Sequence, residues 1–103
     1  MTTHRVYIEN NNDEIKVSVG DIVIIELPEN PTTGYQWESV NINTEVLEEK
    51  RGDFISSNIG IGAGGMKKTE FEVKSAIQET IILQNVQKWS HDVFQHFTLK
   101  LTV

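Results

Sequence analysis

The chain has 103 residues, of which 38% are hydrophobic and 23% charged, as in a single globular domain that buries its own core. Its 15 acidic and 9 basic residues give a net charge of -6, and basic residues are adjacent only in two isolated pairs, Lys50-Arg51 and Lys67-Lys68, which argues against a nucleic-acid partner. The absence of cysteine excludes disulfides, thiolate metal sites and a cysteine nucleophile.

The first residues of the chain and its hydropathy predict the cellular location of the protein. Met1-Thr2-Thr3-His4-Arg5 leads directly into polar, strand-like sequence without the apolar segment of a secretory signal. No apolar run approaches the length needed to cross a bilayer. We therefore expect one domain over residues 1–103 that is a cytoplasmic monomer without a membrane partner.

Alternation of apolar and polar residues recurs along the chain and predicts short, half-buried strands. A first strand is expected around Val6 and Ile8, a second over residues 15–19, and a more deeply buried third over residues 22–27, which Pro28 is expected to end. Further strands are predicted at residues 35–40, 46–49, 67–73, 80–86 and 97–103. Seven or eight such strands indicate an all-β, antiparallel sandwich or barrel.

Two segments lack a strand pattern. Residues 9–14 read as a solvated turn, and residues 52–68 form a long glycine-rich loop of the kind that is often functional. Loops that are separated by two antiparallel strands leave a sandwich at the same end. This counting predicts that the loops at residues 30–35, 52–68 and 87–89 lie together.

The first of these loops, Asn30-Pro31-Thr32-Thr33-Gly34-Tyr35, contains residue types that define a backbone shape. Pro31 has a fixed φ and pushes Asn30 toward an extended conformation. Thr32 and Thr33 are stiff at χ1, and Gly34 can adopt a positive φ. The segment is either a preorganised projection with two hydroxyls or a plain Pro-Thr-Gly turn.

Three motifs together give the sequence its resemblance to a known family. The first motif is Asn30-Pro31-Thr32-Thr33-Gly34, followed by aromatic Tyr35 and, two positions on, by Trp37. The second is a glycine cluster, Gly60-Ile61-Gly62-Ala63-Gly64-Gly65. The third is Gln87-Lys88-Trp89. In this order they resemble the chagasin family of cysteine peptidase inhibitors, which are immunoglobulin-like domains. The third loop of that family usually reads Arg-Pro-Trp, and here the tryptophan alone is retained.

The resemblance implies a function and a set of contact residues. The three loops would plug the active-site cleft of papain-like cysteine peptidases, such as those of the cathepsin L type, reversibly and tightly and with no chemistry done by the inhibitor. Thr32 and Thr33 would cover the catalytic residues, Gly62 to Met66 would pair through the backbone, and Trp89 would pack on an aromatic surface. The implied contact residues are Asn30, Pro31, Thr32, Thr33, Gly34, Tyr35, Gly62, Ala63, Gly64, Gly65, Met66, Lys88 and Trp89.

The physical context of these residues argues against a nucleotide site, a catalytic triad and a metal site. The G-x-G-x-x-G spacing of residues 60–65 would need a following helix to bind a nucleotide, and a strand is predicted there instead. Ser90-His91-Asp92 has the residue types of a catalytic triad, but consecutive side chains point in different directions. His91 and His96 lack accompanying carboxylates, so neither a metal nor another cofactor is expected.

Burial of the two tryptophans should differ. Trp37 shares a strand face with Tyr35 and is expected in the core, whereas Trp89 lies between polar Lys88 and Ser90 and is expected on the surface. The leading hypothesis is therefore a peptidase inhibitor. Its rival is a non-inhibitory immunoglobulin-like interaction or adhesion module, and an enzyme is a distant third.

Overall fold

The computed structural model describes residues 1–56 and 64–103, and in these ranges the secondary structure is strands and short 3-10 turns. The strands are β1 (Thr3–Tyr7), β2 (Asp13–Lys16), β3 (Ile22–Glu29), β4 (Tyr35–Ser39), β5 (Leu47–Ser56), β6 (Gly65–Val73), β7 (Glu79–Gln87) and β8 (Asp92–Thr102). Single 3-10 turns occupy Ile8–Asn10 and Pro31–Thr33. Within these ranges there is no helix of the length and apolar character that crossing a bilayer requires.

The strands form two four-stranded sheets with the orders β1-β3-β6-β5 and β2-β8-β7-β4. The all-β sandwich is confirmed, but the expectation of exclusively antiparallel strands is wrong. β1 pairs with β3, and β2 with β8, in parallel. The reason is that the chain crosses from one sheet to the other after β1 and again after β2, so neither strand pairs with its neighbour in sequence.

The core lies between the two sheets, where the alternating apolar residues face each other. Phe97, Leu99 and Leu101 of β8 are at most 2% exposed, as the alternation predicted. Trp37 of β4 is 4% exposed and its indole N–H donates to the Pro28 carbonyl at 2.8 Å. The prediction of a core tryptophan is therefore confirmed, and its one polar atom is satisfied.

Several strands extend beyond their predicted ends. Pro28 does not end β3, which continues to Glu29 with Pro28 opposite Met66. A proline is tolerated there because β1 ends opposite Glu26. Beyond that point one edge of β3 has no partner strand, so the missing N–H of Pro28 costs no hydrogen bond on that edge. β5 and β6 also take up both flanks of the long loop predicted at residues 52–68, so that loop is shorter than expected.

Candidate functional site

The connections β3–β4, β5–β6 and β7–β8 begin and end at the same end of the sandwich. In one sheet, Gly65 pairs with both Glu29 and Ser56, which sets these three strand termini side by side. In the other sheet, Gln87 pairs with both Tyr35 and Asp92. We call these connections the first, second and third loops; residues 57–63 of the second loop lie outside the described residues.

The first loop is a 3-10 turn that Asn30 caps. The Asn30 side-chain oxygen accepts from the Thr32 N–H at 3.1 Å and from the Thr32 hydroxyl at 2.7 Å. The Thr33 hydroxyl donates to the Asn30 carbonyl at 2.7 Å. Asparagine is a favoured N-cap residue and proline a favoured first residue of a helical turn. The Asn30-Pro31 pair could therefore have predicted this 3-10 turn, which the sequence analysis did not include.

These bonds also decide what the first loop presents to a partner. Thr32 and Thr33 are both exposed. Because each hydroxyl donates its proton to Asn30, its oxygen can act toward a partner only as an acceptor, and the Thr33 oxygen also accepts from the Tyr35 N–H at 3.4 Å. Gly34 has φ +82, as the prediction of a positive φ required.

Trp89 of the third loop lies directly on Gly34. A Cβ added to Gly34 would be 1.9 Å from the Cη2 atom of Trp89, so the indole ring occupies the space of the missing side chain. Trp89 is nevertheless 70% exposed, which confirms the expectation of a surface tryptophan. The ring therefore joins the first and third loops while leaving most of its surface free.

A tight turn carries Trp89. The N–H of His91 donates to the Gln87 carbonyl at 2.8 Å, and His91 has φ 58, which few residues other than glycine adopt. The neighbouring Lys88 ammonium lies 3.5 Å from the Glu38 carboxylate of β4. The side chain of Lys88, a residue predicted to contact a partner, thus extends toward β4.

Tyr35 connects the first loop to the start of β8. Its hydroxyl donates to the Asp92 carboxylate at 2.5 Å, and this hydrogen bond is the main reason that the pKa of Tyr35 is raised. Its ring centroid is 5.8 Å from that of Phe94, with the planes inclined at 55°. Neither Asp92 nor Phe94 was predicted as part of the site, because each lies more than fifty residues from Tyr35 in sequence.

The glycines that close the second loop fit tightly against other strands. A Cβ on Gly65 would lie 2.0 Å from the Ile55 carbonyl oxygen, and one on Gly64 would lie 2.8 Å from that of Glu29. Gly65 and Met66 belong to β6 rather than to the loop, because they pair with Glu29 and Pro28. The predicted contact residues Gly62 and Ala63 lie outside the described residues.

Beneath the loops, a cleft of about 590 Å³ separates the ends of the two sheets. Pro28, Tyr35, Met66 and Phe94 supply its apolar lining. Asn85 lines it too; this residue is 7% exposed, and its side-chain oxygen has no hydrogen-bond partner among the described residues. Among the residues that the structure describes, none of the core side chains fills the space between the sheets at the loop end.

The residue types of a catalytic triad at positions 90–92 do not form one. The Ser90 hydroxyl donates to the Gln87 side-chain oxygen at 2.6 Å, and Asp92 is bonded to Tyr35. Across residues 1–56 and 64–103, no three histidine, aspartate or glutamate side chains are grouped to hold a metal ion. What the site offers is recognition: two threonine hydroxyls, close-packed glycine backbone and an exposed tryptophan.

A sandwich with preorganised recognition loops at one end defines a binding protein, and comparison with known proteins gives its class. The model of the family "Chagasin family peptidase inhibitor I42" matches residues 16–103. Chagasin from Trypanosoma cruzi is 34% identical over 109 residues, which cover 96% of each protein. This chain belongs to the chagasin family of peptidase inhibitors.

Solved structures agree on the fold. The cysteine protease inhibitor EhICP2 from Entamoeba histolytica has a TM-score of 0.86 at 16% identity, over 98% of this chain and 94% of its own. Amebosin has a TM-score of 0.77 at 25% identity, over 98% and 97%. PbICP-C, solved in complex with falcipain-2, has a TM-score of 0.66 at 17% identity, over 99% and 91%.

Membership of this family distinguishes the inhibitor from the interaction module and the enzyme that the sequence left as alternatives. The expected cysteine peptidase inhibitor is confirmed, and the protein is an inhibitor rather than an enzyme.

Proposed function

We propose that this protein inhibits papain-like cysteine peptidases by inserting the three loops into the active-site cleft, which blocks substrate without offering a bond for cleavage. The contact between Trp89 and Gly34 carries the proposal, because it makes the first and third loops one surface. A surface assembled before binding loses little conformational entropy when the complex forms.

Each loop has its own part in the proposed complex. Asn30, Pro31, Thr32, Thr33, Gly34 and Tyr35 form the wedge, with the two threonine hydroxyl oxygens accepting from donors beside the catalytic cysteine. The second loop, from Gly62 and Ala63 through Gly64 and Gly65 to Met66, pairs with the peptidase backbone, since glycine permits close approach. Trp89 anchors the third loop at the rim of the cleft, and Lys88 lies beside it.

A solved complex of a structurally similar protein supports the kind of partner. PbICP-C, whose fold this chain shares, was determined bound to falcipain-2. An exposed tryptophan is the commonest kind of interface anchor, and three loops can cover a standard interface of about 1,600 Å² in total. Targets of the cathepsin L type, a monomeric inhibitor and a cytoplasmic location complete the proposal; the location stays a prediction from the sequence.

The test is a titration of the purified protein against papain and a cathepsin L-type enzyme, with turnover of a fluorogenic substrate as the readout. We expect competitive inhibition that is relieved by dilution, and the inhibitor should be recovered uncleaved. Size-exclusion chromatography should give a one-to-one complex. No inhibition by micromolar protein across several papain-like enzymes would instead favour a non-inhibitory interaction module.

A further inference from the structure

Phe94 is an exposed aromatic residue at the loop end that the three-loop arrangement does not use. It is 70% exposed, the same fraction as Trp89. Exposed aromatic surface is unfavourable in water, and a group of such residues at one place is typical of an interaction site.

A β-bulge presents Phe94. Asn85 of β7 pairs with Gln95, whereas the next residue, Val86, pairs with Val93, so Phe94 is the extra residue of β8. A bulge of this kind redirects a side chain out of the regular alternation, and bulges are common beside functional sites. The placement of Phe94 is therefore a local departure from an otherwise regular strand.

Phe94 is continuous with the first loop. Its ring contacts Tyr35, the last residue of the wedge, at a centroid distance of 5.8 Å. Together with Tyr35, Met66 and Pro28, it forms the apolar wall of the cleft between the sheets. Trp89 contacts the same loop at Gly34. The first loop is thus supported by two aromatic side chains, both of which keep most of their surface for a partner.

The geometry points to Phe94 as a fourth peptidase contact that determines specificity: it receives an apolar side chain from the peptidase surface at the mouth of the cleft. This inference rests on the proposed function, since the occupant belongs to the peptidase that the loops bind. Peptidases with an apolar residue at this place should be inhibited more tightly than peptidases with a charged one, because a charge would lose its hydration against the apolar wall.

Inhibition constants of matched variants test the contact. Phe94→Ala should raise the inhibition constant by about tenfold, and Phe94→Glu by more, for a peptidase that the wild-type protein inhibits. Ile77→Ala is the control, because Ile77 is 59% exposed in the β6–β7 connection at the opposite end of the sandwich. It should change inhibition less than about twofold. Circular dichroism should confirm that all variants are folded.

A second measurement distinguishes a direct contact between Phe94 and the peptidase from an indirect effect in which Phe94 only positions Tyr35. The chain has no cysteine, so Phe94→Cys and Ile77→Cys each create a unique site for an environment-sensitive fluorophore. The emission of the label at position 94 should shift to the blue when peptidase is added, and the label at position 77 should not respond. A tenfold loss in Phe94→Ala without a response at position 94 would show that Phe94 only positions Tyr35, which overturns the inference.

The remaining outcomes are also decisive. If the wild-type protein inhibits but Phe94→Ala is unchanged, the inference is overturned and the proposed function stands, whether or not the label responds. If the wild-type protein inhibits no papain-like peptidase, both are overturned.

Discussion

The Cη2 atom of Trp89 lies 1.9 Å from the point where a Cβ of residue 34 would be, so the third loop rests on the glycine of the first. This contact makes Gly34 necessary for two reasons, its φ of +82 and the space that Trp89 takes. Tertiary packing and backbone conformation therefore both require glycine at position 34. A second glycine with a positive φ but no neighbouring side chain allows the two effects to be measured separately.

Gly34→Ala should weaken inhibition by tenfold or more, because the new methyl group displaces Trp89. Gly20→Ala is the control: Gly20 has φ +93 but no atom within 4 Å of the added Cβ. Backbone strain alone should lower the free energy of unfolding by about 1–3 kcal/mol in each variant. Thermal denaturation and inhibition assays should show a stability loss in both and an inhibition loss in Gly34→Ala alone.

The two tryptophans should separate binding from stability. Trp89→Ala should cost about 1–3 kcal/mol of binding free energy, with little change in stability, because the side chain is 70% exposed. Trp37→Phe removes the hydrogen bond to the Pro28 carbonyl in the core and should lower the free energy of unfolding by about 1–3 kcal/mol. Unchanged inhibition by Trp89→Ala would remove the third loop from the proposed interface.

Asn30 should matter through its side-chain acceptor. Asn30→Ala removes the partner of the Thr32 N–H and hydroxyl, and the loss of a cap costs about 1 kcal/mol. The first loop should then sample other conformations, and the association rate with the peptidase should fall severalfold. Asn30→Asp keeps the acceptor and should retain most of the rate; stopped-flow measurements compare the two. Equal rates in Asn30→Ala and wild type would show that the cap does not preorganise the loop.

The bond between Tyr35 and Asp92 should be visible in an alkaline titration. In a Tyr7→Phe background Tyr35 is the only tyrosine, and its pKa should lie above the ordinary value of 10.0 because Asp92 accepts its proton and repels the phenolate. Asp92→Asn should lower that pKa, as followed by ultraviolet absorbance. Since the folded pKa is raised, the stabilisation is complete below about pH 10 and is lost as the pH rises through the folded value.

Asp21 should make stability depend on acid pH. Its carboxylate accepts from His4 at 2.9 Å and from the N–H groups of Thr2 and Ser18, and these bonds lower its pKa from 3.8 to about 2, with the His4 bond the largest cause. Because the folded pKa is depressed, the stabilisation is present above pH 3.8 and is lost as the pH falls toward 2.

Thermal melts between pH 6 and pH 2 check this linkage. Asp21→Asn should melt lower than wild type at pH 6 and should show a shallower decline toward pH 2. Glu9→Gln is the control, because Glu9 is exposed and forms no ion pair within residues 1–56 and 64–103. It should keep the wild-type slope. Identical slopes in Asp21→Asn and wild type would contradict the role of Asp21.

Much of the fold was accessible from the sequence because strand alternation is a local property. The alternation of Phe97, Leu99 and Leu101 with polar residues does not depend on which strand pairs with β8, and these three residues are buried as predicted. The first loop was accessible for the same reason, since Pro31 and Gly34 restrict their own backbone. Pro28 misled the prediction because the rule that proline ends a strand fails at an edge without a partner.

The sequence by itself determined the alternating core, the burial of Trp37, the exposure of Trp89 and the order of the three loops. Tertiary structure decided the parallel pairings of β1 and β2, the contact of Trp89 with Gly34, and the contacts of Tyr35 with Asp92 and Phe94. The physical reason is distance along the chain. Periodicity and backbone preference act within a few residues, whereas these contacts join segments that meet only after both sheets have formed.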